Sequence, residues 1–295
     1  MLTVAAVETT TGDDAVPVAV KNRRFSGLFP KRILRWRRPI WWQEVAIIAF
    51  GYWLYSIGRN AIHQQAAIAT RHGYSVEKLQ NSLHLNFEQS VNQWVGHHEW
   101  VAQIMDYYYA TLHFIVTIGV MLWLFIKRPH IYRGARTVLF TTTLIALAGF
   151  AIYPLSPPRL LSSTRYIDTL VKFHTWGSLA DPQIAKHSNQ YAAMPSLHIG
   201  WALWCGLSLF MCARSKWVRA LGLIYPFFTL MVIIGTANHY IIDAVGGAIV
   251  VAAAFGLQWL FSGHGAFTPP VDASDFGLPD PPLPHRPSRA TFKRR

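Results

Sequence analysis

The stretch AMPSLHIGWALWCGLSLFMC, residues 193–212, indicates both the fold class and the place where chemistry is expected. Pro195 suits the first turn of a helix, because its missing N–H is not needed there. Ser196 can accept a hydrogen bond from the free amides of such a turn. The rest is an apolar run. His198 is therefore predicted to lie about one turn inside a helix N-terminus, where unpaired N–H groups and the helix dipole favour an anion.

Comparable apolar runs recur along the chain and predict a polytopic membrane protein. Apolar residues make up 52% of the sequence and charged residues only 14%. Several runs approach the length of about 20 residues that a helix needs to cross a bilayer, and most lack the polar face of a soluble amphipathic helix. We predict an all-α bundle of six transmembrane helices, at residues 41–57, 104–126, 137–153, 195–213, 220–236 and 240–261.

The membrane domain is expected to cover residues 39–262, between two disordered tails. Residues 1–38 form a basic N-terminal segment, and residues 263–295 are rich in proline. Within the domain, residues 59–103 are polar, with apolar positions spaced as in short amphipathic helices. This segment is predicted to fold outside the membrane or at its interface.

Charge predicts the orientation of the bundle. The net charge of +13 would suit nucleic acid, but the Lys and Arg residues cluster at the ends of the apolar runs and no nucleic-acid motif is recognisable, so we expect no such partner. Six spans place both termini on one side, which holds 20 of the 27 Lys and Arg residues. The positive-inside rule assigns that side to the cytoplasm. Arg159, His198 and His239 then converge at the outer leaflet, and the expected location is the plasma membrane.

A second motif complements the first. His239 and Asp243 stand four residues apart at the next candidate helix start, a spacing that brings two side chains within about 6 Å on one helix face. A carboxylate so placed can fix the imidazole tautomer and leave the other nitrogen free to attack. His198 would protonate a departing alkoxide, and Arg159 offers a fork of donors for phosphate oxygens. Each residue also has a structural interpretation, as an interface anchor or as one of a packing pair. Their predicted position on the same side of the membrane favours phosphoryl chemistry.

These motifs resemble those of a known family. Residues 192–198 (AAMPSLH) and 238–243 (NHYIID) resemble the second and third signatures of the type 2 phosphatidic acid phosphatase superfamily. The closest likeness is to its inositol phosphorylceramide synthase-like branch, in which leucine replaces the glycine of the second signature. Residues 157–159 (PPR) are similar to the first signature of that branch. The resemblance covers residues 107–256 and agrees with six spans.

The resemblance implies a role for each matching residue. His239 would be the nucleophile that forms a phosphohistidine, with Asp243 as its partner. His198 would act as the acid and later as the base. Arg159 would hold the phosphate, and Ser196 and Arg165 are the other predicted phosphate-binding residues.

Two cations of the superfamily signatures are absent. The Ser-Arg pair of the third signature falls at Val232 and Ile233, and the Lys of the first falls at Ile152. Either other cations compensate or the phosphate carries less charge, as in a diester. The candidate cations on the same side are Arg165, Lys172 and Lys186. Five further residues are candidates to line the site: Tyr109, His113, Asn189, Tyr191 and Asn238. For Tyr109 and His113, packing is the open alternative.

The leading hypothesis is an enzyme that transfers a phosphoryl or phosphoryl-headgroup unit from a lipid at the outer leaflet to water or to an alcohol such as inositol or a sugar. The phosphohistidine step requires no metal or other cofactor, and none is expected. A non-enzymatic lipid transporter or scaffold is the alternative from a different class. A metal-dependent hydrolase is a third interpretation, which predicts inhibition by chelators.

Overall fold

The computed structural model describes residues 39–61, 65–85, 87–162, 165–175 and 190–269, with only the backbone for residues 58–61. This part of the chain is helical and contains no strand. Its α-helices are α1 (Trp41–Ala61), α2 (Ala66–Ser82), α3 (Phe87–Gly96), α4 (Glu99–Tyr107), α5 (His113–Lys127), α6 (Pro129–Ile152), α7 (Thr169–Lys172), α8 (Leu197–Cys212), α9 (Lys216–Gly235) and α10 (Ile241–Ser262). The α-helical fold class is thereby confirmed, and the predicted boundaries of residues 39–262 stay a prediction.

Four helices of the described residues are long and apolar enough to cross a membrane. They are Glu99–Lys127, which joins α4 and α5, and the helices α6, α9 and α10. Helix α8 is equally apolar but has only 16 residues, and α1 is not among the four. Length and composition thus support a membrane protein, while the six-span arrangement and the cytoplasmic termini stay predictions.

Helix α8 lies at the centre of the bundle and packs against α5, α6, α9 and α10. Trp204 is fully buried, and its indole N–H donates to the Ala135 carbonyl at 2.8 Å. Gly206 lets α8 approach α9 closely, because a Cβ there would lie 2.4 Å from the Gly222 carbonyl oxygen. The two cysteines, Cys205 and Cys212, are free and buried.

A short π-helical turn, Tyr108–Leu112, joins α4 to α5. Such turns are rare and occur mostly as single insertions in α-helices, frequently at functional sites. This one lies beside the start of α8, where Tyr109 contacts His198.

The loops at one end of the bundle are joined by backbone hydrogen bonds. The amide of Ser196 donates to the Asp243 carbonyl at 3.0 Å, and the amide of Arg159 donates to the Ala237 carbonyl at 3.1 Å. Leu155 forms an isolated parallel bridge with Ala192. The segments that carry the candidate residues therefore meet at this end, as the sequence predicts.

The predicted start of the third span is wrong. The span is predicted at residues 137–153, but α6 begins at Pro129, which suits the first helical position, and Arg136 pairs with Glu44 of α1. Residues 263–269, directly after the predicted boundary of the membrane domain, fold back and bury Ala266 against Gly134 of α6. Residues 270–295 and 1–38 lie outside the described residues.

Candidate active site

His198 lies in the first turn of α8. Ser196 is the N-cap, with an extended backbone, and its hydroxyl oxygen accepts from the Ile199 amide at 3.5 Å. Pro195 precedes this cap, so it does not occupy the first helical turn as expected. The ring of His198 is half-buried, and its side chain hydrogen-bonds the backbone of Tyr109.

His239 lies in the loop between α9 and α10, not on a helix face. The Ile233 carbonyl accepts from the amides of Asn238 at 3.0 Å and His239 at 3.2 Å. Ala237 has a φ of 50°, a left-handed conformation that non-glycine residues seldom adopt. This tight turn delays the start of α10 to Ile241 and leaves the buried imidazole of His239, 4% exposed, directed at the start of α8.

A backbone carbonyl fixes the tautomer of His239. Its Nδ1 lies 2.9 Å from the carbonyl oxygen of Ala193. A carbonyl oxygen can only accept, so Nδ1 must carry the proton and Nε2 must hold the lone pair. Nε2 is buried and has no hydrogen-bond partner among the described residues. The imidazole is thus in the form that a nucleophile requires.

The expected role of Asp243 in fixing that tautomer is wrong in one respect. Its Oδ2 lies 3.5 Å from Nδ1 of His239, too far for a strong hydrogen bond. The same oxygen accepts from the Tyr240 amide at 2.9 Å, as part of a capping box at the start of α10. Asp243 therefore lies beside the imidazole as a buried carboxyl group, fully inaccessible to solvent.

The environment of His239 keeps the ring neutral. Burial lowers the pKa of His239 to about 4, and the nearby charge of Arg159 acts in the same direction, against the opposing effect of the hydrogen bond to Ala193. A neutral imidazole at physiological pH retains the lone pair that attack on phosphorus needs.

The second imidazole lies close to the first. The ring centroids of His198 and His239 are 5.5 Å apart. Tyr109 stacks on His198 at 4.1 Å, and His113 lies 4.3 Å from the same ring and stacks on Trp201. The two candidate lining residues, Tyr109 of the π-helical turn and His113 of α5, are thus in direct contact with His198.

Arg159 is buried and anchored from two sides. Its Nε donates to Oδ1 of Asn238 at 2.9 Å, and its Nη1 donates to Oδ2 of Asp168 at 2.8 Å. Asn238 in turn donates to the Thr236 hydroxyl. The guanidinium is held beside His239, and its charge is already paired with one carboxylate.

The five other candidate residues differ in their placement. Arg165 is exposed and borders an open groove, and no contact joins its guanidinium to the histidines within the described ranges. The Lys172 ammonium donates to the Gly96 carbonyl at 2.7 Å, at the end of α3. The carbonyl of Tyr191, one residue before the second motif, accepts from the Leu155 amide. Asn189 and Lys186 lie outside the described residues.

Sequence reasoning missed two groups at this site. The Ala193 carbonyl gives no signal in the sequence, because any residue could supply it. Asp168 lies nine residues from its partner Arg159 in an irregular segment, so no periodicity predicts their contact.

The fold and the site together define a class, an α-helical membrane protein of phosphatase type. Two imidazoles, a buried carboxylate and a guanidinium converge where the apolar helices end. The family model described as the PAP2 superfamily matches residues 75–257, more than half of the chain. The protein belongs to the PAP2 superfamily, the type 2 phosphatidic acid phosphatases, whose members are phosphatases and phosphotransferases. Neither the curated proteins nor the solved structures give a significant match.

Proposed function

We propose that the protein is a lipid phosphatase or headgroup phosphotransferase that works through a phosphohistidine on His239. The single observation that carries this proposal is the state of that ring. Nδ1 is hydrogen-bonded to the Ala193 carbonyl, and Nε2 is buried and has no hydrogen-bond partner in the part of the chain that the structure describes. The centroid of this ring lies 5.5 Å from that of a second imidazole.

The first half-reaction transfers the phosphorus to the protein. Nε2 of His239 attacks, the Nε2–P bond forms, and the bond from phosphorus to the lipid oxygen breaks. A protonated His198 gives its proton to that leaving oxygen. The positive charge that develops on the His239 ring is stabilised by the Asp243 carboxylate, 3.5 Å from Nδ1.

The second half-reaction restores the enzyme. Neutral His198 takes a proton from water or an alcohol, whose oxygen attacks the phosphorus and breaks the Nε2–P bond. Water yields a phosphatase, and an alcohol such as inositol or a sugar yields a transferase. Neither half-reaction, as written, requires a metal or another cofactor.

The charge at the site favours a lipid phosphodiester. Arg159 is the one described cation bound to the His239 loop, and Asp168 already balances it. A diester carries one negative charge, whereas a monoester carries almost two at neutral pH and calls for more cationic ligands. This agrees with the resemblance of the motifs to the inositol phosphorylceramide synthase-like branch. We further propose six spans, cytoplasmic termini, and a site at the outer leaflet of the plasma membrane.

A labelled substrate panel tests the proposal. The purified full-length protein is incubated with radiolabelled lipid phosphate monoesters and diesters, with and without polyol acceptors, and both free phosphate and transferred headgroup are followed. We expect turnover of diesters, with transfer when an acceptor is present. Brisk phosphate release from simple monoesters without any transfer would overturn the diester assignment.

Two variants separate an enzyme from a transporter or scaffold. His239→Ala should abolish turnover and leave lipid binding nearly intact. His97→Ala, at an exposed position in the turn that follows α3, should retain the activity of the wild type. Full turnover in His239→Ala would reject the assigned nucleophile. The transporter would be favoured if the wild type shows no turnover and if both the wild type and His239→Ala move lipid across the bilayer of vesicles at the same rate.

A further inference from the structure

Helix α3 has two buried polar side chains on one face. Glu88 is 1% exposed and Asn92 is fully buried, and they stand four residues apart, so they are neighbours on the helix surface. Buried polar groups of this kind are stable only when they are hydrogen-bonded. Their partners therefore reveal what this face of α3 holds.

Both side chains bind the backbone at the two ends of the loop that carries His239. Asn92 Nδ2 donates to the carbonyl of Gly235, the last residue of α9, at 2.9 Å. The amide of Ile241, the first residue of α10, donates to Glu88 Oε1 at 2.6 Å. Only five residues lie between these two anchor points. One rigid helix thus fixes the distance between the ends of the loop.

Gln80 of helix α2 supports the second anchor. Its Nε2 donates to Glu88 Oε2 at 3.0 Å, and its Oε1 accepts from the Ile242 amide at 3.3 Å. The first two amides of α10 are therefore hydrogen-bonded by side chains of α2 and α3, which belong to the polar segment 59–103.

Asn92 also holds the segment that carries Asp168. Its Oδ1 accepts from the Ile167 amide at 2.7 Å, and its Nδ2 also donates to the Ile167 carbonyl at 3.0 Å. Asp168, the next residue, pairs with Arg159. A single asparagine therefore connects the nucleophile loop to the partner of the phosphate-binding arginine.

We propose that Glu88 and Asn92 are positioning residues, which hold the His239 loop at the distance from His198 that in-line phosphoryl transfer requires. This inference rests on the proposed function of the same site, and it assigns a role to the polar segment that precedes the apolar helices. The physical reason is geometric, because a misplacement of about 1 Å at a reacting group can cost about 100-fold in rate.

The test combines loop opening with kinetics on the full-length protein. Hydrogen–deuterium exchange followed by mass spectrometry reports on peptides that cover residues 233–242, and turnover of a labelled lipid phosphodiester gives kcat and KM. Asn92→Ala and Glu88→Ala should each raise exchange in the loop by about tenfold and lower kcat by at least about tenfold, with KM within about twofold. Glu88→Gln keeps an acceptor for the Ile241 amide but turns its new amide NH2 towards the Gln80 Nε2 donor, so it should recover only part of kcat.

Ser90→Ala is the matched control, since Ser90 lies on the exposed side of α3. It should leave both exchange and kcat at wild-type values. A folded Asn92→Ala protein whose loop exchange is unchanged, or whose loop opens while kcat is preserved, would overturn the positioning role. If an alanine variant does not fold, the isosteric Asn92→Asp decides by the same two readouts, because it places an acceptor oxygen against the carbonyls of Gly235 and Ile167 and should raise loop exchange and lower kcat; unchanged values of both would overturn the positioning role.

The two proposals fail in different ways. If the wild-type protein turns over no lipid but the Glu88 and Asn92 variants show faster exchange in the loop, the proposed function is contradicted and the anchoring of the loop is supported. Turnover that depends on His239 but not on Glu88 or Asn92 would support the function and contradict the positioning role.

Discussion

Gly247→Ala should separate His198 and His239, the two proposed catalytic histidines, without touching either. Gly247 lies on α10, at the point where this helix crosses the start of α8. A Cβ at this position would lie 2.3 Å from the carbonyl oxygen of Ser196 and 3.3 Å from the amide nitrogen of Gly200. Both neighbours are backbone atoms, so rotation of a side chain cannot relieve the contact.

The size of the effect follows from that distance. Ordinary van der Waals contacts of a Cβ begin at 3.4 Å, so α8 and α10 must move apart by about 1 Å. His198 moves with α8 and His239 precedes α10, and a displacement of about 1 Å costs about 100-fold in rate. Overpacking costs about 1–3 kcal/mol of unfolding free energy, against a gain of about 1 kcal/mol from the helix propensity of alanine.

Gly256→Ala provides the control on the same helix. A Cβ there meets nothing within 4 Å, so the propensity gain comes without a clash. Turnover of labelled lipid and the thermal unfolding midpoint should match or exceed those of the wild type. Gly247→Ala with wild-type kcat would refute the claim that the spacing of these two helices controls the reaction.

Three further predictions concern charge and pH. The acid limb of kcat/KM should fall near pH 4, since burial lowers the pKa of His239 to about 4 and only the neutral ring attacks; a limb near 6.5 in the pH profile would contradict this. Asp168→Asn should raise the ratio of monoester to diester turnover by about tenfold, because it frees the charge of Arg159 while keeping an acceptor for the Val171 amide; an unchanged ratio would argue against charge as the selector. Burial raises the pKa of Glu88 to about 7, so the folded protein retains a proton that the unfolded chain has lost. The unfolding free energy should then fall by about 3 kcal/mol as the pH rises from about 4.5 to about 7, and Glu88→Gln should flatten that slope in thermal unfolding experiments.

The apolar runs predict the helices well because the signal is local. The ends of α8, α9 and α10 lie within four residues of their predicted positions. The start of α6 was predicted too late, because a count of apolar residues excludes the basic stretch 127–136 from the third span. Arginines in that stretch are compatible with a helix whose partners neutralise them, as Glu44 does for Arg136.

The motifs predict which side chains meet, but not how they are held. The prediction that His239 and Asp243 share a helix face assumes a continuous helix through both residues. The left-handed Ala237 and the capping box at Tyr240 instead place His239 before the helix starts. The tautomer depends on the Ala193 carbonyl, 46 residues away in the sequence.

The anchors on α3 are even more remote. Glu88 and the Ile241 amide are 153 residues apart in the sequence. A glutamate on a short amphipathic helix is compatible with a solvated face, and only the packing of α3 against α9 shows that it is buried. Contacts of this kind depend on the tertiary arrangement, for which one sequence carries no periodic signal.

Trapping the covalent intermediate tests the central claim most directly. The protein is mixed with a lipid substrate labelled at phosphorus, quenched in alkali, and digested, and the labelled peptide is identified by mass spectrometry. The account predicts an acid-labile, base-stable phosphohistidine at His239, absent from His239→Ala and increased when acceptor is omitted. Turnover at wild-type rate with no label on the protein, or label on a residue other than His239, would contradict it.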